Sequence, residues 1–140
     1  MPGALYVETS AALRAVVEAG TTPALEQRIA AATVLITSRL SLVEAARAML
    51  RLRALGRVAE ERLADAGRQL DALWARCDVW ELSRGVCDLA SEVAPAKLLR
   101  TLDALHLATY LLARRRFAGI ELETTDERLK DAAGAAPSAL

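Results

Sequence analysis

Thr33-Val34-Leu35-Ile36-Thr37 is a β-branched, apolar run and the clearest strand signal in the chain. Upstream of it, Thr21-Thr22-Pro23 restarts the chain after Gly20, with Thr22 able to cap a helix and Pro23 suited to its first turn. Further back, Ala11 to Ala19 reads as a helix closed by Gly20. It follows Ala4-Leu5-Tyr6-Val7, a run too short for a helix and suited to a buried strand, which ends at Glu8-Thr9-Ser10.

Downstream, Ser41 opens a helix running to about Leu55, where Gly56 breaks it. Leu63, Ala66, Leu70 and Leu73 continue at helical spacing, so Arg57 to Arg76 forms a second long helix, antiparallel to the first. Asp78-Val79-Trp80-Glu81-Leu82 alternates polar with apolar, the pattern of a strand near a sheet edge. Helices follow over Ser83 to Val93, ended by Pro95, and over Thr101 to Arg115. Gly119 to Glu123 supplies a last strand and Asp126 to Ala133 a last helix. Strands separated by helices predict an α/β fold, a three-layer α/β/α sandwich around a short, mainly parallel sheet. Residues 1–133 form one domain on this reading, and the small-residue stretch 134–140 is expected to be a flexible tail.

Composition narrows the function classes. With 140 residues, 54% hydrophobic and 26% charged, the chain can bury a core and stay soluble. Lys plus Arg and Asp plus Glu both number 18, which argues against nucleic-acid binding by a broad basic field. Cys77 and Cys87 lack C-x-x-C spacing and are too few for a disulfide scaffold. No apolar run reaches membrane-spanning length and no leader pattern opens the chain, so a reduced, cytoplasmic protein without a membrane partner is expected.

In open α/β sheets, ligands bind beyond the carboxyl ends of the strands. Glu8 and Asp126 fall at two such ends. Asp103 lies within Leu98-Leu99-Arg100-Thr101-Leu102-Asp103-Ala104-Leu105-His106-Leu107-Ala108, a helix predicted to be apolar nearly all round and therefore buried. A carboxylate there needs a metal or an arginine beside it. Glu44, in Ser41-Leu42-Val43-Glu44-Ala45-Ala46, again has apolar neighbours. Each acid also has a structural role open to it. Ser41-x-x-Glu44 is a capping box, Asp126 can cap its helix, Glu8 can be a solvated loop residue, and Asp103 can pair with Arg100 or Arg114.

As a set, these residues resemble a known family. Tyr6-Val7-Glu8-Thr9-Ser10-Ala11-Ala12-Leu13 resembles the opening of PIN domains, and Ser41-Leu42-Val43-Glu44 their second acidic position. Leu102-Asp103-Ala104-Leu105-His106-Leu107-Ala108 is similar to the third, and Thr124-Thr125-Asp126-Glu127-Arg128-Leu129 to the fourth. The length matches the compact toxins of VapC type. The resemblance implies a Mg²⁺- or Mn²⁺-dependent endoribonuclease, with RNA as substrate, a small cognate antitoxin as partner and often a homodimer. Glu8 departs from the pattern, because the first acidic position in the family is typically Asp. One extra methylene is a large step for Mg²⁺, which demands near-ideal octahedral geometry, so an attenuated site is expected.

On the family pattern, Glu8, Glu44, Asp103 and Asp126 would form the catalytic set, with Glu8, Asp103 and Asp126 holding the metal. Thr9 and Thr125 are candidates to bond those acids or a phosphate, helix capping being the alternative. Arg100 would touch RNA phosphate or an antitoxin carboxylate, or form an internal ion pair. His106 reads as a hydrogen-bonded interior residue rather than a base. Arg47, Arg51 and Arg53 offer either a basic rim or a solvated face, Arg114-Arg115-Arg116 suits a helix C-terminus, and Trp74 and Trp80 suit core or interface anchors. Two other functions compete: a catalytically weak or inactive PIN scaffold, and a small-molecule phosphohydrolase. The second is disfavoured by the lack of a D-x-D motif after the first strand and of a phosphate-cradling glycine loop.

Overall fold

Leu5 and Val7 of the first strand, β1 (Ala4–Val7), bury into one apolar cluster, and Tyr6 between them buries into another. A strand covered on both faces must divide its side chains in this way. The computed structural model of the chain describes residues 3–137. After β1 come α1 (Thr9–Val16), α2 (Pro23–Ala31), β2 (Val34–Ser38), α3 (Arg39–Leu55) and α4 (Glu60–Arg76). The order continues with β3 (Cys77–Trp80), α5 (Arg84–Ala90), α6 (Thr101–Arg116), β4 (Glu121–Glu123) and α7 (Glu127–Ala135).

The strands form one sheet in the order β3-β2-β1-β4, and every pairing is parallel. β3 lies at an edge, as its alternating sequence predicts. Helices α1 to α4 supply one layer, whose Leu25, Ile29, Met49, Leu63, Leu70 and Leu73 cover Leu5, Val7 and Leu35. Helices α6 and α7 cover the other face, packing Leu107, Leu111 and Leu129 on Tyr6 and Ile36. This is the expected three-layer α/β/α sandwich. Each such fully buried side chain contributes about 1.5–3 kcal/mol. Because β2 and β3 extend the sheet to one side of β1 and β4 adds on the other, the winding reverses between β1 and β4. Such a reversal opens a crevice at the carboxyl ends of the two strands.

Several boundaries differ from the sequence reading. Helix α3 begins at Arg39, directly from β2, and its cap is Ser38, whose hydroxyl accepts from Leu40 N at 3.0 Å. Ser41 is therefore not a cap, and the proposed capping box with Glu44 does not form. Gly56 ends α3 with φ +66°, a left-handed conformation that glycine adopts without strain. Helix α6 starts at Thr101, so Leu98 precedes it and is 91% exposed. The fully buried residues of α6 begin at His106; its first turn opens on exposed Thr101 and Leu102, with Asp103 and Ala104 partly buried. Helix α7 runs on to Ala135, so Gly134 and Ala135, expected in a tail, are helical, and residues 138–140 lie outside the described residues. Among the described residues no helix is long and apolar enough to cross a membrane.

Candidate active site

At the carboxyl ends of β1 and β4, Glu8 and Glu44 come within ligand reach of each other, whereas Asp103 feels Asp126 and Glu8 only through their charge. Glu8 follows β1 directly and caps α1, accepting from Ser10 N at 3.1 Å on Oε2. Its Oε1 accepts from the hydroxyls of Ser10 at 2.5 Å and Thr124 at 2.6 Å. Glu8 is thus a buried, fully bonded carboxylate rather than a solvated loop residue. The backbone supports the same junction: Glu8 N donates to Glu123 O, Thr125 N to Ser10 Oγ and Asp126 N to Thr124 Oγ1. Of the two adjacent threonines, Thr124 is therefore the one whose hydroxyl meets Glu8, whereas Thr125 contributes its backbone amide.

Asp126 caps α7, its Oδ1 accepting from Arg128 N at 2.9 Å and Leu129 N at 3.3 Å. Both bonds fall on one oxygen, so Oδ2 carries none among the described residues. Glu44 behaves alike. Its Oε1 accepts from Thr9 Oγ1 at 2.6 Å and lies 2.6 Å from His106 Nε2, while Oε2 has no protein donor among the described residues. Burial acts to raise the Glu44 carboxyl, but the bonds from His106 and Thr9 together outweigh it and hold the group below the usual carboxylate range.

Asp103 is different. Half-buried in the first turn of α6, it has no hydrogen-bond or ion-pair partner among the described residues. Neither expected arginine pairs with it: Arg100 is exposed at the helix start, and Arg114 donates to Pro137 O. Burial, then the negative charges of Asp126 and Glu8, push the Asp103 carboxyl up, and His106 and Arg100 offset only part of this. Glu123 is the contrasting case. This buried acid at the end of β4 takes two bonds from Arg28, at 2.5 and 3.1 Å, and so adds no uncompensated charge.

The site also contains a residue to which the sequence reading gave no part. Glu8, Glu44 and His106 each present a ligand-type atom within 4.8 Å of the others. His106 is buried and hydrogen-bonded, as expected, yet its Nε2 borders the acids at 2.6 Å from Glu44 Oε1 and 4.0 Å from Glu8 Oε2. Its placement three residues after Asp103, one helical turn, was the available signal.

The residues present fit a hard divalent cation. Carboxylate oxygens predominate beside the single nitrogen of His106, Glu44 and Asp126 each have one oxygen anchored and the other unbonded among the described residues, and Asp103 sits in a negative field that a cation would relieve.

Comparison with known proteins agrees with this architecture. The PIN domain family model matches residues 5–135, and the chain belongs to the PIN-domain family. The fold is similar to the crystal structure of PAE2754 from Pyrobaculum aerophilum, with a TM-score of 0.68 and 23% identity over 96% of this chain and 82% of that one. It is also similar to VapBC2 from Rickettsia felis, solved bound to a DNA fragment from its promoter, with a TM-score of 0.60 and 13% identity over 88% of this chain and 99% of that one. No curated protein sequence matches the chain.

Proposed function

We propose that the protein is a metal-dependent endoribonuclease, the toxin of a toxin–antitoxin pair. The observation that carries this reading is Asp103, a carboxylate with no partner among the described residues at the carboxyl end of the sheet, raised by burial and then by the charges of Asp126 and Glu8. Glu8, Asp103 and Asp126 would hold Mg²⁺ or Mn²⁺, and Glu44 completes the catalytic set. When bound there, such an ion would supply polarisation of the scissile phosphate, a lowered pKa for the attacking water and charge stabilisation at the leaving 3′-oxygen. The protein's own part is to fix the acids. The α7 amides anchor Asp126, Ser10 and Thr124 anchor Glu8, and Thr9 with His106 anchors Glu44. Thr125 and Arg100 remain candidates to meet RNA phosphate at the rim.

Membership of the PIN family and the likeness in fold to a VapBC complex support the toxin reading. A small antitoxin would inhibit by inserting Arg or Lys into this acidic crevice, displacing the metal. A homodimer and a cytoplasmic location complete the proposal; the exposed Val43, Leu50 and Leu55 of α3, with Leu98 and Leu102, offer apolar surface to such partners. Calorimetry with Mn²⁺ tests the site. The wild-type chain binds the ion and Asp103→Asn loses it; absence of binding by the wild type would sink the enzyme reading.

One observation favours a second reading, a weakly active or inactive PIN scaffold that works as a binding partner. Glu8 has both oxygens occupied by protein donors, more fully than Glu44 or Asp126. Its longer side chain is thereby committed to capping α1 and joining β1 to β4. Attenuated turnover follows if a metal has to compete with those bonds.

A further inference from the structure

We propose that His106 is a positioning residue, which together with Tyr6 forms a buried relay that fixes the Glu44 carboxylate in the acidic crevice. This rests on the reading of the acids as the working site and adds a group that the carboxylate set does not include.

His106 Nε2 lies 2.6 Å from Glu44 Oε1, with Glu8 Oε2 the next carboxylate oxygen at 4.0 Å. Ionised carboxylates only accept, so Nε2 is assigned the proton. In the neutral ring Nδ1 is then the acceptor, and Tyr6 Oη stands 2.9 Å from it. A tyrosine hydroxyl can donate as well as accept, so it gives its proton to the Nδ1 that has none. The direction of the relay is therefore Tyr6 to His106 to Glu44.

Its inner end is rigid. Tyr6 is fully buried in β1, and its ring meets His106 edge-on at 6.2 Å and 79° and Tyr110 at 6.1 Å and 72°. Tyr110 is itself tied by its hydroxyl to Ile120 O at 3.1 Å. The outer end needs such support. Glu44 projects from a helix whose neighbouring Val43 is 54% exposed, and a glutamate side chain has many rotamers to lose. Thr9 and His106 are its two protein donors among the described residues, and both bind the same oxygen. That arrangement fixes the carboxylate while leaving its second oxygen unbonded. Glu44 presents a ligand-type oxygen within 4.8 Å of one on Glu8, so the fixed carboxylate shares the field that holds a cation there, and a hydrogen-bonded support behind such a carboxylate is worth about 10–100-fold in metal affinity or activity.

His106 is the chain's single histidine, so its ring nitrogens are observable without assignment ambiguity. The test is long-range proton–nitrogen correlation NMR on the metal-free, nitrogen-15-labelled full chain. The expected spectrum has a protonated Nε2 whose resonance moves in Glu44→Ala and an Nδ1 resonance that moves in Tyr6→Phe. A bare Nε2, or a ring that ignores Glu44→Ala, would overturn the relay whether or not the protein cleaves RNA.

Mn²⁺ calorimetry supplies the second arm. Affinity falls about 10–100-fold in His106→Ala and largely returns in His106→Gln, whose amide N–H replaces the Nε2 donor. Equal affinity in wild type and both variants, or equal loss in both, contradicts positioning through that donor. Failure of the wild type to bind Mn²⁺ overturns the metal reading instead, and the NMR arm then judges the relay alone.

Discussion

Thr124 Oγ1 donates a 2.6 Å hydrogen bond to Oε1 of Glu8, joining residues 116 positions apart across the crevice between β4 and β1. The bond closes the sheet reversal at its carboxyl end and holds an acid whose own chain neighbours already bind it. Thr124→Val keeps the shape and removes the donor from a buried carboxylate. The expected cost is about 1.5–3 kcal/mol, the range for hydrogen bonds to charged groups. Thr124→Ser restores the donor and should stay near the wild type. Urea denaturation of the three proteins measures this; a valine variant as stable as the wild type would refute it.

Asp103 should make the metal-free fold less stable as it ionises. Its carboxyl is raised in the fold by burial and by Asp126 and Glu8. A raised folded-state value means that the stability is fully present below the unfolded value, about pH 3.9, and is lost as pH rises through the folded one. Asp103→Asn, which cannot ionise, should therefore melt higher than the wild type at pH 7 without metal. Partial exposure of the group limits the gain to about 1 kcal/mol. The two proteins should converge near pH 3, and added Mn²⁺ should reverse their order, because ligand binding stabilises only the protein that binds it. Melting curves at the two pH values, with and without Mn²⁺, check the signs.

Glu44 carries the opposite sign. Although burial opposes it, the bonds from His106 and Thr9 hold its carboxyl below the usual range. Its contribution is present above the unfolded value, about pH 4.3, and is lost as pH falls through the folded one. Glu44→Gln should cost on the order of 1 kcal/mol at pH 7, and the difference should close in acid. A difference that grows as pH falls would contradict the assignment.

Cys77 should be unreactive in the folded protein. Burial at the start of β3 pushes its thiol up to about 11, so the nucleophilic thiolate is scarce at pH 8. Cys87 is exposed. Iodoacetamide at pH 8 should label Cys87 alone in the native protein and both cysteines in urea, read by intact mass. Rapid double labelling of the native protein would contradict this burial.

The alternation of helix and strand was legible in sequence, because β1 and β2 are short, mostly apolar runs and the β3 region alternates polar with apolar. The junctions were less so. Thr37 and Ser38 look like the end of a strand, yet Ser38 also caps α3, since β2 passes into the helix without a loop. Ser41 consequently lies within α3, with its hydroxyl 2.8 Å from Thr37 Oγ1. Leu98 matches the helical spacing of Leu102 and Leu105 but precedes the helix, and periodicity alone does not mark where a helix begins.

The acids were identifiable because they sit at strand ends or in apolar surroundings. Their partners were not. His106 meets Tyr6 from 100 positions away and Glu44 from 62, distances over which local spacing carries no information. Thr124 and Thr125 are equivalent in composition, and only the end of β4 at Glu123 decides which hydroxyl reaches Glu8.

The most direct test of the proposed function is cleavage of a mixed RNA pool in Mn²⁺ by the wild-type chain, Glu8→Asp and Asp103→Asn. Aspartate at position 8 remains a good helix cap but draws its carboxylate back by one methylene from Thr124 and Ser10. Weak cleavage by the wild type, stronger cleavage by Glu8→Asp and none by Asp103→Asn is the predicted result. Identical behaviour of all three would contradict it, leaving the acids as structural elements of a PIN-domain binding scaffold.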